Sequence, residues 1–152
     1  MKKILFALAL LINISAFGQF QKTETVVHVP VGSVKWMGAK FSELSYYTVG
    51  VDTFYTITYK NQVYRTLNSW EVLSFSGGSA VLVNVYDALI LAANADKGAE
   101  SSFKLGDASV TLSTRKTAGR KFVAVIISTP GKVLGLTELT EGQIKSLFGK
   151  AE

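Results

Sequence analysis

Alternation of side-chain character over Asp52–Lys60 constrains the fold more than any other feature of the sequence. Tyr55, Ile57 and Tyr59 fall on one face of an extended chain, and threonines occupy the other face. A period of two is that of a β-strand. Further strands are predicted at Phe41–Val49, Val63–Leu67, Trp70–Phe75, Phe103–Leu105, Ala108–Arg115, Phe122–Ser128 and Val133–Leu136. Because they follow one another through short turns, a mainly antiparallel sheet is expected.

Two helices interrupt this series of strands. Val81, Val85 and Leu89 have helical spacing, which predicts a central helix that Ser79 caps and that ends near Lys97-Gly98. Thr140 and Gln143 have capping-box spacing, which predicts a short C-terminal helix. The predicted class is therefore α+β, a single domain with one central helix and one short C-terminal helix. Both halves end in strand and then helix, which hints at a βββα pseudo-repeat.

The first eighteen residues are typical of a secretory signal peptide. A basic Met1–Lys3 start precedes the apolar run Ile4–Ile12, and Ala16-Phe17-Gly18 supplies small residues before a cut at Gln19. The segment resembles the export signals of bacterial proteins. We therefore expect residues 1–18 to be a signal peptide and residues 19–152 to be one exported domain, periplasmic or secreted. No later apolar run reads as a transmembrane anchor.

Several chemistries lack support in the composition and motifs. The sequence has no Cys and one His, which excludes disulfides and thiolate chemistry. No nucleophile elbow, zinc motif or calcium loop occurs, so neither a metal nor a cofactor is predicted. His28 lies between two valines and is expected to be an ordinary strand residue. Removing Lys2 and Lys3 lowers the net charge from +5 to +3, which does not favour nucleic acid as a partner.

Carboxylates are the remaining candidates for catalysis. Asp52, Glu71, Asp87 and Asp107 lie near strand or helix segments and could form an acid–base pair. Each also has a structural explanation, as a turn residue or as part of a solvated face. We assign no catalytic residue among them.

A basic cluster is the strongest charge feature. Arg115, Lys116, Arg120 and Lys121 crowd a predicted hairpin tip with no acid nearby in sequence. Such a tip could contact an anionic surface, such as lipopolysaccharide, an acidic glycan or an acidic envelope protein. The alternative is a solubilising tip that discourages pairing between sheet edges.

Aromatic and glycine residues give weaker signals. The aromatic residues of the first half could stack on sugars, but we expect them mostly to anchor the core: Trp36, Phe41, Tyr46, Tyr47, Tyr55, Tyr59, Tyr64, Trp70 and Phe75. The Ser76–Ser79 segment resembles an anion-binding helix start only in outline, because it lacks the lysine of a P-loop.

Three functional hypotheses follow. The favoured one is a non-catalytic binding or interaction module of the cell envelope or exterior, which predicts an exposed basic or apolar patch. An exported ligand carrier or enzyme inhibitor would need a cavity between sheet and helix, or a protruding loop. A carboxylate-dependent hydrolase would need two carboxylates in one cleft. The oligomeric state stays open.

Overall fold

Within residues 26–62 and 69–150, which are those that the computed structural model describes, eight antiparallel strands form two four-stranded sheets. Sheet A contains, in spatial order, β1 (Val29–Trp36), β2 (Ala39–Val49), β3 (Asp52–Lys60) and β4 (Trp70–Ser76), and α1 (Ser79–Asn94) follows it. Sheet B contains β5 (Glu100–Leu105), β6 (Ala108–Thr117), β7 (Arg120–Thr129) and β8 (Lys132–Leu139), and α2 (Glu141–Leu147) follows it. The predicted α+β class is confirmed.

Sheet A keeps the predicted strand β3 with the same bounds. Pro30 lies in β1, an edge strand, which suits proline because it cannot donate to a central ladder. β3 lies between β2 and β4, and its pairing with β4 ends with Lys60 opposite Trp70. The predicted strand Val63–Leu67 lies outside the described residues.

The chain repeats the order of four strands and then a helix. Each repeat has one strand more than the predicted βββα unit, because β1 and β5 each complete a sheet. Each helix packs on the sheet of the other half: α1 contacts β6 and β7, and α2 contacts β1 and β2 and also β7 of its own half. The two helices also contact each other. Neither half therefore covers its own sheet alone.

Close backbone approach lets α2 dock on β1. A Cβ atom at Gly32 would press against the carbonyl oxygens of Ser146 and Leu147 and would lie 2.8 Å from the Gly149 nitrogen. Gly149 has a φ of +66°, which glycine adopts without a steric penalty. Glycine at both positions is what allows the end of the second half to contact the start of the first.

The two helices begin differently. The predicted capping box of α2 is confirmed. The backbone amide of Gln143 donates to the Thr140 hydroxyl at 3.3 Å, and the backbone amide of Thr140 donates to the side-chain oxygen of Gln143 at 2.9 Å. The predicted cap at Ser79 is wrong. Gly78 is the N-cap of α1 and provides no side-chain hydrogen bond, and Ser79 is the first helical residue.

A single apolar core joins both sheets and both helices. Tyr55 and Tyr59 are buried in it, as the alternation of β3 predicted, and Tyr59 is 1% exposed. Gly135 of β8 lies so close to the Tyr59 ring that an added Cβ would be 2.6 Å from its hydroxyl oxygen. The Gln62 amide donates to the Leu136 carbonyl at 2.8 Å, which also links the end of β3 to β8.

Candidate functional site

The predicted basic tip is the β6–β7 hairpin. Its turn is Ala118-Gly119, with φ angles of +49° and +79°. Lys116 lies directly opposite Lys121 in the ladder, and Arg115 lies opposite Phe122. All four predicted site residues are exposed, namely Arg115, Lys116, Arg120 and Lys121. Because side chains alternate along a strand, the two lysines share one face and the two arginines share the other.

Two of these four cations have structural partners. Arg115 Nη1 lies 3.4 Å from the Glu138 carboxylate, so β8 supplies an acid that is distant in sequence. Lys121 Nζ donates to the Ala95 carbonyl at 3.0 Å, which places a positive charge at the C-terminal end of α1. Lys116 and Arg120 make no ion pair among residues 26–62 and 69–150. These two cations, one on each face of the hairpin, are the ones best placed to bind a separate anion.

A further lysine joins the tip from the loop after α1. The Gly98 amide donates to the Thr114 carbonyl at 2.9 Å, and the Thr114 amide donates to the Ala99 carbonyl at 2.9 Å. These bonds hold the exposed Lys97 beside the base of the hairpin, together with Asp96. The sequence predicts only that the helix ends near Lys97, because no local pattern indicates which strand the following loop contacts.

The candidate carboxylates lie on separate elements. Asp52 lines an open cleft of about 300 Å³ at the β2–β3 turn, and its other lining residues, Val51, Thr53, Phe54, Ser76, Gly77 and Gly78, add no second carboxylate. Glu71 lies opposite Tyr59 in the β3–β4 ladder, Asp87 is exposed on α1, and Asp107 lies in the β5–β6 turn. In the described part of the chain, no three His, Asp or Glu residues are grouped to hold a metal ion.

A small cavity lies between the two sheets. It has a volume of about 30 Å³, which is room for roughly one or two water molecules. Its walls come from both sheets and both helices, with Tyr59 and Ile57 on one side and Val125 and Ile127 on the other. The cavity that a ligand carrier would need is larger than this by about a factor of ten.

Aromatic residues divide between the core and the surface. Tyr55, Tyr59 and Phe75 are buried as predicted, and Tyr64 lies outside the described residues. The expectation that the aromatic residues anchor the core is wrong for the two tryptophans, since Trp36 is 67% exposed and Trp70 is 44% exposed.

His28, Tyr47 and Phe54 form a surface aromatic row. The His28 ring lies 4.9 Å from that of Tyr47, and the Tyr47 and Phe54 rings stack at 5.2 Å. His28 is exposed and precedes β1, so it lies outside the strand that the sequence suggested for it. Phe54 also forms one wall of the open cleft.

Comparison with known proteins adds no identification. No protein-family model, curated protein or solved structure matches the chain. Among the described residues, neither helix has both the length and the apolar character needed to cross a membrane. The function is therefore inferred from the geometry of the described residues.

Proposed function

We propose that the protein is an exported, non-catalytic binding module that contacts an anionic partner through the β6–β7 tip. The observation that carries this proposal is the pairing of Lys116 directly opposite Lys121, with Arg120 beside them at the turn. Like charges at directly opposed ladder positions destabilise a sheet. A partner with fixed negative charge, such as an acidic glycan or the acidic surface of an envelope protein, would offset that repulsion.

The shape of the molecule supports binding at a surface over holding a ligand inside. The cavity between the sheets is too small for a ligand of ordinary size, and the larger cleft at Asp52 is open and has one carboxylate. A retaining or inverting glycosidase needs two carboxyl groups about 5 to 10 Å apart. The exposed basic tip is the feature that best fits recognition of an anionic partner.

The structure shows which cations of the tip can be changed without breaking another contact. Changing Arg115 or Lys121 would also break the contact with Glu138 or the bond to Ala95. The double variant Lys116→Ser/Arg120→Ser removes two positive charges, and so does a double change at Lys104 and Lys150, both exposed and outside the tip. Lys150 also lies 3.9 Å from the centre of the Tyr86 ring, a contact far from the tip in sequence. The second double variant is therefore the matched control.

The experiment measures retention of purified protein on immobilised polygalacturonate, with neutral dextran as the reference matrix. We expect binding at about 50 mM salt that falls strongly by about 500 mM, where screening is much stronger. The tip variant should bind roughly fivefold more weakly, and the control variant should bind close to the unmodified protein. Equal losses in both variants, or retention that ignores salt, would contradict recognition by the tip.

Export is tested separately. The protein expressed with its first eighteen residues in a bacterial host should be recovered outside the cytoplasm. Sequencing of its N-terminus should begin at Gln19, because Ala16 and Gly18 provide the small residues of a cleavage site. Recovery in the cytoplasm with Met1 retained would refute the export part of the proposal and leave the binding assay unaffected.

A further inference from the structure

We propose that the β1–β2 tip, defined as Lys35–Lys40, is a second contact site that inserts into the surface of an anionic lipid bilayer. This site belongs to sheet A and shares no residue with the β6–β7 tip of sheet B. The proposed contact is interfacial: a short turn enters the headgroup region, and the rest of the domain stays in water.

Exposed apolar side chains form the end of this hairpin. Met37 is 90% exposed and Trp36 is 67% exposed. Tryptophan has an apolar ring and a polar N–H group, a combination that favours the boundary between headgroups and hydrocarbon. Methionine is flexible and fits an irregular apolar environment. In water, neither side chain gains from burial, which a bilayer surface would provide.

The backbone conformation at Met37 adds a second cost. Met37 has a φ of +49° and Gly38 has a φ of +81°, a pattern of two positive φ angles that Asn-Gly fits best. A large residue at positive φ is disfavoured in the folded state, and at this exposure its side chain recovers little by packing. The residue is unfavourable for the turn and for contact with water, and it suits contact with something outside the domain.

Positive charges surround the apolar tip. Lys35 lies opposite Lys40 in the β1–β2 ladder. Lys40 Nζ is held 2.8 Å from the Glu43 carboxylate, which fixes its position next to the turn. At the same end of sheet A, Lys60 is paired with the exposed Trp70. An apolar tip surrounded by lysines matches an anionic bilayer, because lysines attract headgroups while apolar side chains enter between them.

The hairpin also extends far enough to reach a surface. The last pairing between β2 and β3 joins Ser42 to Tyr59, but β1 and β2 remain paired beyond it as far as Trp36 and Ala39. Because β3 ends at Lys60, one residue beyond Tyr59, about two residues of β2 project past it, or roughly 7 Å at the rise of a strand. Together with the turn itself, this length is enough for the tip to enter the headgroup layer.

The test measures binding to vesicles of phosphatidylcholine with one quarter phosphatidylglycerol, and to pure phosphatidylcholine vesicles. The protein must first be shown to begin at Gln19, because an uncleaved apolar leader would itself bind lipid. A Trp70→Phe background leaves Trp36 as the single tryptophan. We expect its emission to shift to the blue with anionic vesicles and to be quenched by brominated lipid. An unchanged emission spectrum with bound vesicles would overturn insertion by this tip.

Two matched asparagine variants separate insertion from folding. Met37→Asn gives the turn its preferred Asn-Gly sequence, so the fold is retained while the apolar side chain is lost. It should bind anionic vesicles at least about tenfold more weakly, given the apolar surface that a methionine buries. Ala118→Asn makes the same change at the β6–β7 turn, which has nearly the same φ angles, and should leave vesicle binding unchanged. Equal binding by the two variants would overturn the proposal.

Charge variants distinguish this site from the basic tip of sheet B. Lys35→Ser should weaken binding to anionic vesicles roughly fivefold, the contribution expected of one lysine at such a surface. Lys40 is left unchanged because it is paired with Glu43. Lys116→Ser/Arg120→Ser should retain the blue shift of Trp36. Loss of vesicle binding only in this last variant would show that lipid is bound by the β6–β7 tip, and the inference would be wrong.

Discussion

The two halves of the chain share one order of elements but stabilise their helices by different means. In the first half, α1 has sixteen residues, no side-chain cap, and a buried side that includes Val85 and Leu89. In the second half, α2 has seven residues, a complete capping box and close backbone contact with β1. A long helix can rely on burial, whereas a helix of two turns satisfies too few of its own backbone groups and needs caps.

The hairpin tips of the two halves have the same backbone conformation but carry different side chains. The turns at Met37-Gly38 and Ala118-Gly119 have nearly identical pairs of positive φ angles. The first presents tryptophan and methionine, and the second presents lysines and arginines. One backbone geometry therefore serves an apolar tip in sheet A and a basic tip in sheet B. The two halves therefore share their topology and turn geometry but differ in the chemistry of the surface at their tips.

The largest expected effect concerns the contact between the halves. Gly32→Ala should lower the free energy of unfolding by about 3 kcal/mol or more, because the new methyl group would meet the backbone of α2, which cannot rotate away. Gly142→Ala is the control, since an added Cβ there meets nothing within 4 Å and alanine favours a helix. Chemical denaturation measures both. Similar midpoints for the two variants would show that the α2–β1 contact is less important than its geometry indicates.

A pH effect is expected at the other contact between the halves, where Tyr59 lies against Gly135. Burial, and to a smaller extent the nearby charge of Glu71, raises the pKa of Tyr59 from 10.0 to about 12. Above pH 10 the unfolded chain loses this proton while the folded chain keeps it, so stability falls as the pH rises from 10 to 12. The loss is roughly 3 kcal/mol over that range and is absent below it.

Denaturation of the unmodified protein and of Tyr59→Phe across this range measures the effect by difference, because other tyrosines and lysines also titrate there. The unmodified protein should lose more stability than the variant with rising pH. Parallel curves would mean that Tyr59 ionises as easily in the folded protein as in the unfolded chain.

Smaller effects are expected from removing the side-chain cap of α2 and from adding one to α1. Thr140→Ala should cost about 1 kcal/mol, because it removes the acceptor of the Gln143 amide. Gly78→Ser should stabilise by a few tenths of a kcal/mol, since an added Cβ meets nothing within 4 Å and serine can accept from the first turn of α1. Thermal unfolding of both variants measures the contrast. Equal and opposite shifts would show that α1 depends on its cap as much as α2 does.

The smallest effect compares the two tips. Met37→Asn and Ala118→Asn should each raise the free energy of unfolding by roughly 0.5 kcal/mol, because asparagine tolerates positive φ better than either residue. The gain should be somewhat larger at Met37 if its side chain contributes nothing to the fold. Urea denaturation of both variants checks this, and destabilisation by Met37→Asn would show that the methionine packs usefully within the domain.

Local signals in the sequence were sufficient for much of the fold. The alternation in β3 predicted its bounds and the burial of Tyr55 and Tyr59, and the spacing of Thr140 and Gln143 predicted the capping box. The packing of each helix against the sheet of the other half was out of reach, since it depends on which apolar faces meet and not on any local pattern. The Ser79 cap was misjudged because Gly77-Gly78 already turns the chain into α1.

The candidate site was predictable in part. The charges of Arg115–Lys121 are local, so the basic hairpin tip was visible in sequence. The partners of Arg115 and Lys121 come from β8 and the end of α1, and Lys97 comes from a loop that hydrogen bonds place beside β6. The exposure of Trp36 was missed because an aromatic residue in a strand usually faces a core, and nothing in its neighbours marked it as part of a projecting turn.

The contact between Gly32 and Gly149 also has a consequence in time. Gly32 and Gly149 are far apart in sequence, so α2 can dock on β1 only after the whole segment between them has emerged from the ribosome. Contacts between distant parts of a chain form late because they close long loops. For the proposed exported protein, that delay keeps the chain incompletely folded during synthesis, which is the state in which it can still be threaded across a membrane.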